Sequence, residues 1–440
     1  MYKNLKVYIS IFFDLTMFKN ESFDDFDMSV KSDREEIKQL LNLKFNQRCK
    51  KMKRKGENYI YPEQKKYSLD ILDAFKKGIH LTTFVAPVQW GKTGVILSLI
   101  HECCTNDEIF INPNNVILLT GMSDNEWKSQ TQSRMIREMR PSVHHLHGVI
   151  NMKLDDDFRN ALIIIDECQI ANQEHQSIRK MFVTNNLFDI GFLKERNIRI
   201  IQTSATPDNV LVDAREYNKD EHFCCIVDID LKNPERSYKF FTDIDKGNLK
   251  ETMDLSILNN TKTLFKDIIF FKKARWHIIR IPSDKKKKDD ANLTCKNIQR
   301  CANKFNCDIR YHMMNLTLDE NKEPEEVLAT RPESGKHTII IIKNKWRASK
   351  SITDKYIGVV HDRFTRLKPQ FATEVQSLAG RMIGHGKMKS KHKPIIYCQK
   401  KCIIQYIELF SSKFNYDEID GWKKTSKSSY INKELKVIKE

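Results

Sequence analysis

At 440 residues, 40% of them hydrophobic, the chain is long enough for two or three globular units at roughly 150 residues each. No stretch approaches the ~20 apolar residues of a membrane span, and the eleven cysteines are spaced neither as a disulfide framework nor as a zinc ribbon, which leaves reduced thiols. A formal charge of +17 with a pI near 9.2 is the footprint of a polyanion binder, with a lysine-rich composition that keeps the protein dissolved as the other reading.

Residues 1–58 are charged and mixed, with a helix expected from Ser32 to Asn46. Tyr2–Phe18 is interrupted by Lys3, Lys6 and Asp14 and carries no small-residue cleavage signal, which argues for an intracellular protein, cytoplasmic or nuclear. The run Lys50-Lys51-Met52-Lys53-Arg54-Lys55 reads as a solvated linker, a nucleic-acid arm or a nuclear import signal.

From 59 to 228 strand and helix patterns alternate, as in a parallel α/β lobe. Tyr61-Pro62-Glu63-Gln64 opens the helical stretch Lys65–Phe75, and Leu81–Val85 reads as a buried strand. That strand runs into Ala86-Pro87-Val88-Gln89-Trp90-Gly91-Lys92-Thr93-Gly94, a phosphate cradle with Ala86 at the position usually held by glycine. Gly91 lets backbone N–H groups close on phosphate oxygens, Lys92 reaches the β- and γ-phosphates, and Thr93 offers a hydroxyl to Mg²⁺. The next strand, Val116–Thr120, leads through Gly121 to a helix start at Asn125–Gln130. Ala161–Ile165 is an unbroken apolar run, as in a central parallel strand, and ends in Asp166-Glu167-Cys168-Gln169. An acidic pair at a strand's end can hold a metal and polarise a water, with Asp166 on Mg²⁺ and Glu167 on the attacking water. Asn197–Gln202, a further strand, runs into Thr203-Ser204-Ala205-Thr206-Pro207, whose hydroxyls can couple nucleotide state to a neighbouring domain.

Residues 229–261 are mostly polar and read as a connector, 262–414 as a second α/β lobe, and 415–440 as a Lys- and Ser-rich tail. In the second lobe, helices are expected at 263–273, 289–304, 372–383 and 402–410, and strands at 275–281, 308–313, 337–342, 356–361 and 394–399. Basic clusters fall at 285–288 and 387–393.

Phosphate loop, Asp-Glu and Ser-Ala-Thr in this order resemble motifs I, II and III of superfamily 2 helicases and translocases. The resemblance extends to Gln64 as a glutamine motif and to Thr120, Gly121 and Gln130 as motif Ia, which touches a nucleic-acid backbone. His337–Lys350, with Arg347 and Ser349, is similar to motif V, and Ser283 ends the first strand of the second lobe. Glu374–Gly386 is similar to motif VI, which implies that Gln376 faces the nucleotide and Arg381 reaches the triphosphate as a permanently charged finger. Two departures stand out: Gln376 precedes Arg381 by five residues where many relatives have four, and Gly384 occupies the place of a second arginine. His385 or Arg347 is left to complete the finger.

The resemblance implies an α/β chain of two tandem RecA-like parallel-sheet domains, 59–228 and 262–414, with a basic N-terminal extension and a short C-terminal tail. ATP with Mg²⁺ would sit between them, bound by Gln64, Ala86, Gln89, Trp90, Gly91, Lys92, Thr93, Gly94, Gln376 and Arg381. Thr93 and Asp166 would hold the metal, Lys92, Asp166, Glu167 and Arg381 would be catalytic, and Gln169, Thr203, Ser204 and Thr206 would couple the lobes. DNA or RNA, read without sequence preference, would touch Thr120, Gly121, Gln130, Ser283, Arg347 and Ser349; no membrane partner is implied. The segments Arg347-Ala-Ser-Lys350 and Gln376-Ser-Leu-Ala-Gly-Arg381 are similar to helicase-like proteins of large DNA viruses, which places a viral version in host cytoplasm or virion. Unwinding, remodelling without unwinding, and an ATP-holding scaffold that hardly turns over remain three readings of one sequence.

Overall fold

Short apolar runs bounded by turn residues form strands covered on both faces, and the two isoleucine-rich ones, Ala161–Asp166 and Thr338–Ile342, lie inside two separate sheets. The computed structural model describes residues 26–56, 58–120, 125–137, 143–144, 148, 152–155, 157–168, 177–207, 221–234, 238–282, 288–313, 318, 324–343, 346, 352–365, 371–385, 387 and 393–415. These form two compact units, one of residues 26–86 and 92–227, the other of residues 87–91 and 228–415.

The first unit opens with α1 (Lys31–Arg54) and α2 (Pro62–Lys76). Then follow β1 (Leu81–Val85), α3 (Lys92–Thr105), β2 (Val116–Thr120), α4 (Asn125–Arg134), β3 (Val143–His144) and β4 (Ala161–Asp166). The unit continues with α5 (Ser177–Thr184), α6 (Ile190–Glu195), β5 (Ile198–Ser204) and β6 (His222–Ile226). Its six strands run parallel in the order β3-β2-β4-β5-β1-β6. β5 therefore lies between the strand that feeds the phosphate loop and the strand that ends in Asp166, with Thr203 in register with Asp166 and Ser204 with Val85. The core on one side joins Ile163, Ile165, Ile178, Phe182 and Ile200, all buried.

α1 is longer than the Ser32–Asn46 expected, because residues 47–55 hold no glycine or proline and favour helix, so the basic run Lys50–Arg54 is helical rather than a linker. Ile37, Leu40 and Leu41 anchor it in the core of the first unit.

The second unit has β7 (Tyr238–Lys239), α7 (Phe241–Ile244), β8 (Leu249–Glu251), α8 (Leu258–Ile269), β9 (Trp276–Arg280), α9 (Lys288–Lys304) and β10 (Asp308–His312). It continues with α10 (Pro324–Leu328), β11 (Thr338–Ile342), β12 (Ile357–His361), α11 (Phe371–Gln376), β13 (Gly384–His385), β14 (Ile395–Cys398) and α12 (Lys400–Ser411). Its main sheet is also six-stranded and parallel, β10-β11-β9-β12-β14-β8, while β13 and β7 form a separate antiparallel ribbon.

Two expectations change here. Residues 229–261 are not a bare connector: they supply β7, α7 and the edge strand β8, because the fully buried Tyr238, Phe240, Phe241 and Ile244 give the segment its own apolar face. The helix expected over 372–383 stops at Gln376, since the Leu378 N–H, which an α-helix would turn back on Glu374, donates instead to Asp362 Oδ2 at 2.8 Å. The chain resumes as a 3₁₀ turn over Ala379–Met382. Two parallel-sheet α/β units in tandem are the RecA-like architecture anticipated from the motifs. Among the described residues no cysteine is in a disulfide, and no helix is long and apolar enough to cross a membrane.

Candidate nucleotide site

The phosphate loop joins β1 to α3, so the first N–H groups of α3, which have no partner within the helix, open at Lys92. Loop geometry is fixed from both sides. Trp90 N–H donates to Pro87 O at 3.1 Å, Ala86 N–H donates to Ser204 O of β5 at 3.2 Å, and Gln89 and Gly91 take φ of +60° and +99°.

Lys92 and the acidic pair meet. Lys92 Nζ lies 3.1 Å from Glu167 Oε1, with side-chain exposures of only 10% and 6%. Asp166 is also buried and its carboxylate is held by three donors: Thr203 Oγ1 to Oδ1 at 2.9 Å, Trp127 Nε1 to Oδ2 at 3.1 Å, and the Glu167 N–H to Oδ1 at 3.1 Å. Burial, then the charge of Glu167, pushes the Asp166 carboxyl above the usual carboxylate range, and Lys92, Thr203 and Trp127 oppose that. Glu167 itself takes φ +53°, a left-handed turn that ends the strand and swings the second carboxylate toward Lys92.

Thr93 is the second residue of α3, and Arg134 Nη1, from the end of α4, reaches its hydroxyl at 3.5 Å. Gln64 lies over the start of the same helix. Its Oε1 accepts from the Tyr61 N–H at 2.9 Å, closing the first turn of α2, and a Cβ placed on Gly94 would stand 2.0 Å from that Oε1. Gly94 is therefore small because Gln64 needs the room. Thr203, Ser204 and Thr206 are all fully buried; Thr203 ties β5 to Asp166, and Ser204 Oγ accepts the Thr206 N–H at 3.0 Å. Thr120, expected at a nucleic-acid surface, is fully buried beside Asp166 in register, so its side chain serves the sheet interior, whereas Gln130 is half-exposed on α4.

Trp127 and Arg134 are residues that the sequence did not mark for this site. The indole reads as packing in any pattern, and nothing in the spacing of Arg134 points to Thr93. Trp127→Phe removes a donor from a buried carboxylate, so a loss of about 1.5–3 kcal/mol in stability is expected by urea unfolding. An unchanged midpoint would remove Trp127 from the site.

In the second unit the loop Pro87–Gly91 packs with β7 and β13: Tyr238 Oη donates to Val88 O at 2.6 Å, and the Trp90 ring centroid is 5.9 Å from that of His385. Gly384 sits at φ +123°, and a Cβ there would stand 2.8 Å from Gln89 Cβ. That accounts for glycine where a second arginine was expected, since backbone and space both refuse a side chain. Arg381 is 1% exposed, and its guanidinium donates to the carbonyl of Gln376.

Beneath this turn lies a buried charge network. Arg280, ending β9, pairs through Nε with Asp362 Oδ1 at 2.9 Å and donates through Nη2 to Trp346 O at 2.9 Å. Asp362 also receives the N–H groups of Arg363 and Leu378, both at 2.8 Å. Asp362 follows an apolar strand, the same signal that singled out Asp166, and could have been read from it. Glu374 is 3% exposed, and burial together with the Asp362 charge pushes its carboxyl up to about 7. A carboxyl raised in the fold favours folding when protonated, so this contribution is full below the ordinary value near 4.5 and is lost as pH rises through about 7. Glu374→Gln should thus leave stability unchanged at low pH and raise it by roughly 2–3 kcal/mol at pH 8. Urea midpoints of both proteins across pH 4.5–8 check this; parallel curves contradict it. Gly121, Gln169, Ser283, Arg347 and Ser349 lie outside the described residues, as does the tail 416–440.

No family model matches the chain. It is 25% identical over 377 residues to an uncharacterized protein of Acanthamoeba polyphaga mimivirus, covering 80% of this chain and 88% of that one. Among solved structures it is similar to a DEAD-box helicase bound to single-stranded RNA and UDP-BeF, at 14% identity and TM-score 0.49, covering 86% of this chain and 77% of the other. It is also similar to the SWI2/SNF2 ATPase core of Sulfolobus solfataricus in complex with double-stranded DNA, at 10% identity and TM-score 0.30, covering 77% and 86%. With two parallel six-stranded sheets and the motif residues at the strand ends described, the chain has a tandem RecA-like α/β fold.

Proposed function

We propose that the protein is an ATP-dependent nucleic-acid helicase or translocase that hydrolyses ATP at the phosphate loop between β1 and α3. The observation that carries this reading is the convergence, in one buried place, of the lysine that opens α3 with the carboxylates of Asp166 and Glu167. Lys92 would leave Glu167 for the β- and γ-phosphates, which also gather the free N–H groups at the start of α3. Glu167, released from its lysine, becomes the acceptor for a proton of the attacking water. Thr93 and Asp166 offer a hydroxyl and a carboxylate, hard oxygen donors that suit Mg²⁺, and the ion would supply charge neutralisation on the phosphates. Gln64 is the group proposed for the adenine edge, and Arg381 the one proposed for charge developing on the γ-phosphate. Thr203, bonded to Asp166 while its neighbours Ser204 and Thr206 bond one another, gives a route by which loss of phosphate reaches the end of β5.

The excess of positive charge supports a nucleic-acid partner held through phosphates without regard to sequence. A second reading, a scaffold that holds ATP and hardly turns it over, is favoured by Gly384, whose conformation admits no second arginine. ATP turnover measured with and without single-stranded DNA and RNA separates the two. Stimulation by either polynucleotide is the expected result, and binding of ATP without turnover in all three conditions would favour the scaffold. Strand-displacement assays then distinguish unwinding from translocation alone.

A further inference from the structure

We infer that the second half of α1, from Arg48 to Lys55, is a second nucleic-acid contact that takes a phosphodiester backbone beside α4. The inference rests on the nucleic-acid reading above but uses none of its catalytic residues.

From Ile37 to Gly56 the chain holds eight Lys and Arg and no Asp or Glu. Lys50, Lys51, Lys53, Arg54 and Lys55 are all exposed, and no ion pair or hydrogen bond holds any of these side chains among the described residues. At about 100° per residue the four cations within the helix cover an arc of about 160°, leaving Cys49 and Met52 on the remaining side. Arg48 falls on that side too, and these three are the half-buried residues of the stretch, so the burial follows the same arc. Lys50 with Lys53 and Arg54, and Lys51 with Arg54, are like-charged neighbours one helical turn apart, which repel. A helix C-terminus favours one or two cations through its dipole, but not so many without a counter-charge.

The position of this cluster is fixed by contacts. Arg48 donates to Ser133 O of α4 and lies with its guanidinium 5.7 Å over the ring of Tyr59, whose hydroxyl donates to Arg134 O at 2.7 Å. Earlier in the same helix, Asn42 Oδ1 stands 3.0 Å from His101 Nε2 and the Phe45 ring stacks 4.0 Å from that of His101, which is on α3. The basic end is thus braced on the helix whose sequence resembles motif Ia and on the helix that begins at Lys92. The cations occupy the exposed arc of α1, away from the side on which Arg48 meets α4, and a polyanion of regular spacing is the partner whose charge matches them.

The test uses the full chain with Lys50→Gln, Lys51→Gln, Lys53→Gln, Arg54→Gln and Lys55→Gln combined. Fluorescence anisotropy with labelled single-stranded RNA, single-stranded DNA and duplex DNA is measured over a potassium chloride series, and poly-glutamate is titrated as an acidic-protein probe. The slope of log Kobs against log salt should become shallower by up to about 3.5 for single strands, since each of the five lost phosphate contacts contributes ~0.7. Circular dichroism melting of the variant should match the parent, because the replaced side chains are exposed. An unchanged slope on all three nucleic acids overturns the inference, as does a variant that loses only poly-glutamate binding. Binding needs no hydrolysis, so the series is repeated in the Lys92→Ala background: the same slope change there supports the contact whether or not the parent chain turns over ATP, and turnover by the parent, measured separately, tests the ATPase reading.

Discussion

Replacing Lys92 by alanine is expected to lower ATP turnover by at least about 10³-fold, since a preorganised charge on the transferring phosphoryl group is removed, worth ~4 kcal/mol of barrier. The geometry adds a second, less obvious consequence. Lys92 is the cation against Glu167 in a place where both side chains are nearly sealed from water, and Asp166, already raised in pKa by burial and by Glu167, lies next in sequence. Removing the lysine leaves two adjacent buried carboxylates, so the first unit should also lose about 3–5 kcal/mol, the usual cost of stranding one partner of a buried pair. Lys92→Met combined with Glu167→Gln should recover most of that stability and none of the activity. Urea unfolding of the two single variants and the double variant, with turnover measured on the same samples, separates the effects. If turnover persists in both Lys92→Ala and Glu167→Ala, the assignment of the site is wrong.

Asp362→Ala should be the most damaging substitution in the second unit, at about 3–5 kcal/mol. It strands the Arg280 guanidinium and two backbone N–H groups, one of which sets the end of α11. With Leu378 N–H released, the turn that carries Arg381 loses its anchor, and faster hydrogen exchange at residues 378–382 is expected alongside the fall in stability. Pairing Asp362→Leu with Arg280→Met should restore part of the stability, because an apolar pair removes the stranded charge. Exchange at 378–382 that stays as slow as in the parent would show that Asp362 does not hold this turn.

The parts of the fold legible in the sequence were those written as unbroken apolar runs. Ala161–Ile165, Val116–Thr120 and the runs of the second unit became parallel strands because covered strands have little other composition. Segment 229–261 reads as a connector in sequence because its polar residues outnumber the few aromatics that carry its packing, and two- and three-residue strands leave no period to detect. The reach of α1 was missed for the opposite reason: a run of lysines looks like a linker, yet lysine is a good helix former. In the site, Lys92, Asp166 and Glu167 were readable because their spacing reflects chemistry. Trp127, Arg134 and Arg280 were not, since each acts through a contact made across the fold, from α4 or from a neighbouring strand end. Gly384 stands out in the sequence as a departure, and its cause, a positive φ against Gln89, is visible only in three dimensions.

Lys92 and the carboxylates beside it are proposed to form a site for a nucleoside triphosphate with Mg²⁺. Calorimetric titration of the full chain with a non-hydrolysable ATP analogue and MgCl₂ tests it most directly. Saturable binding to the parent is expected, weakened at least tenfold when Mg²⁺ is withheld and lost in Lys92→Ala. No heat of binding with the parent protein, or equal affinity in the parent and in Lys92→Ala, would contradict it.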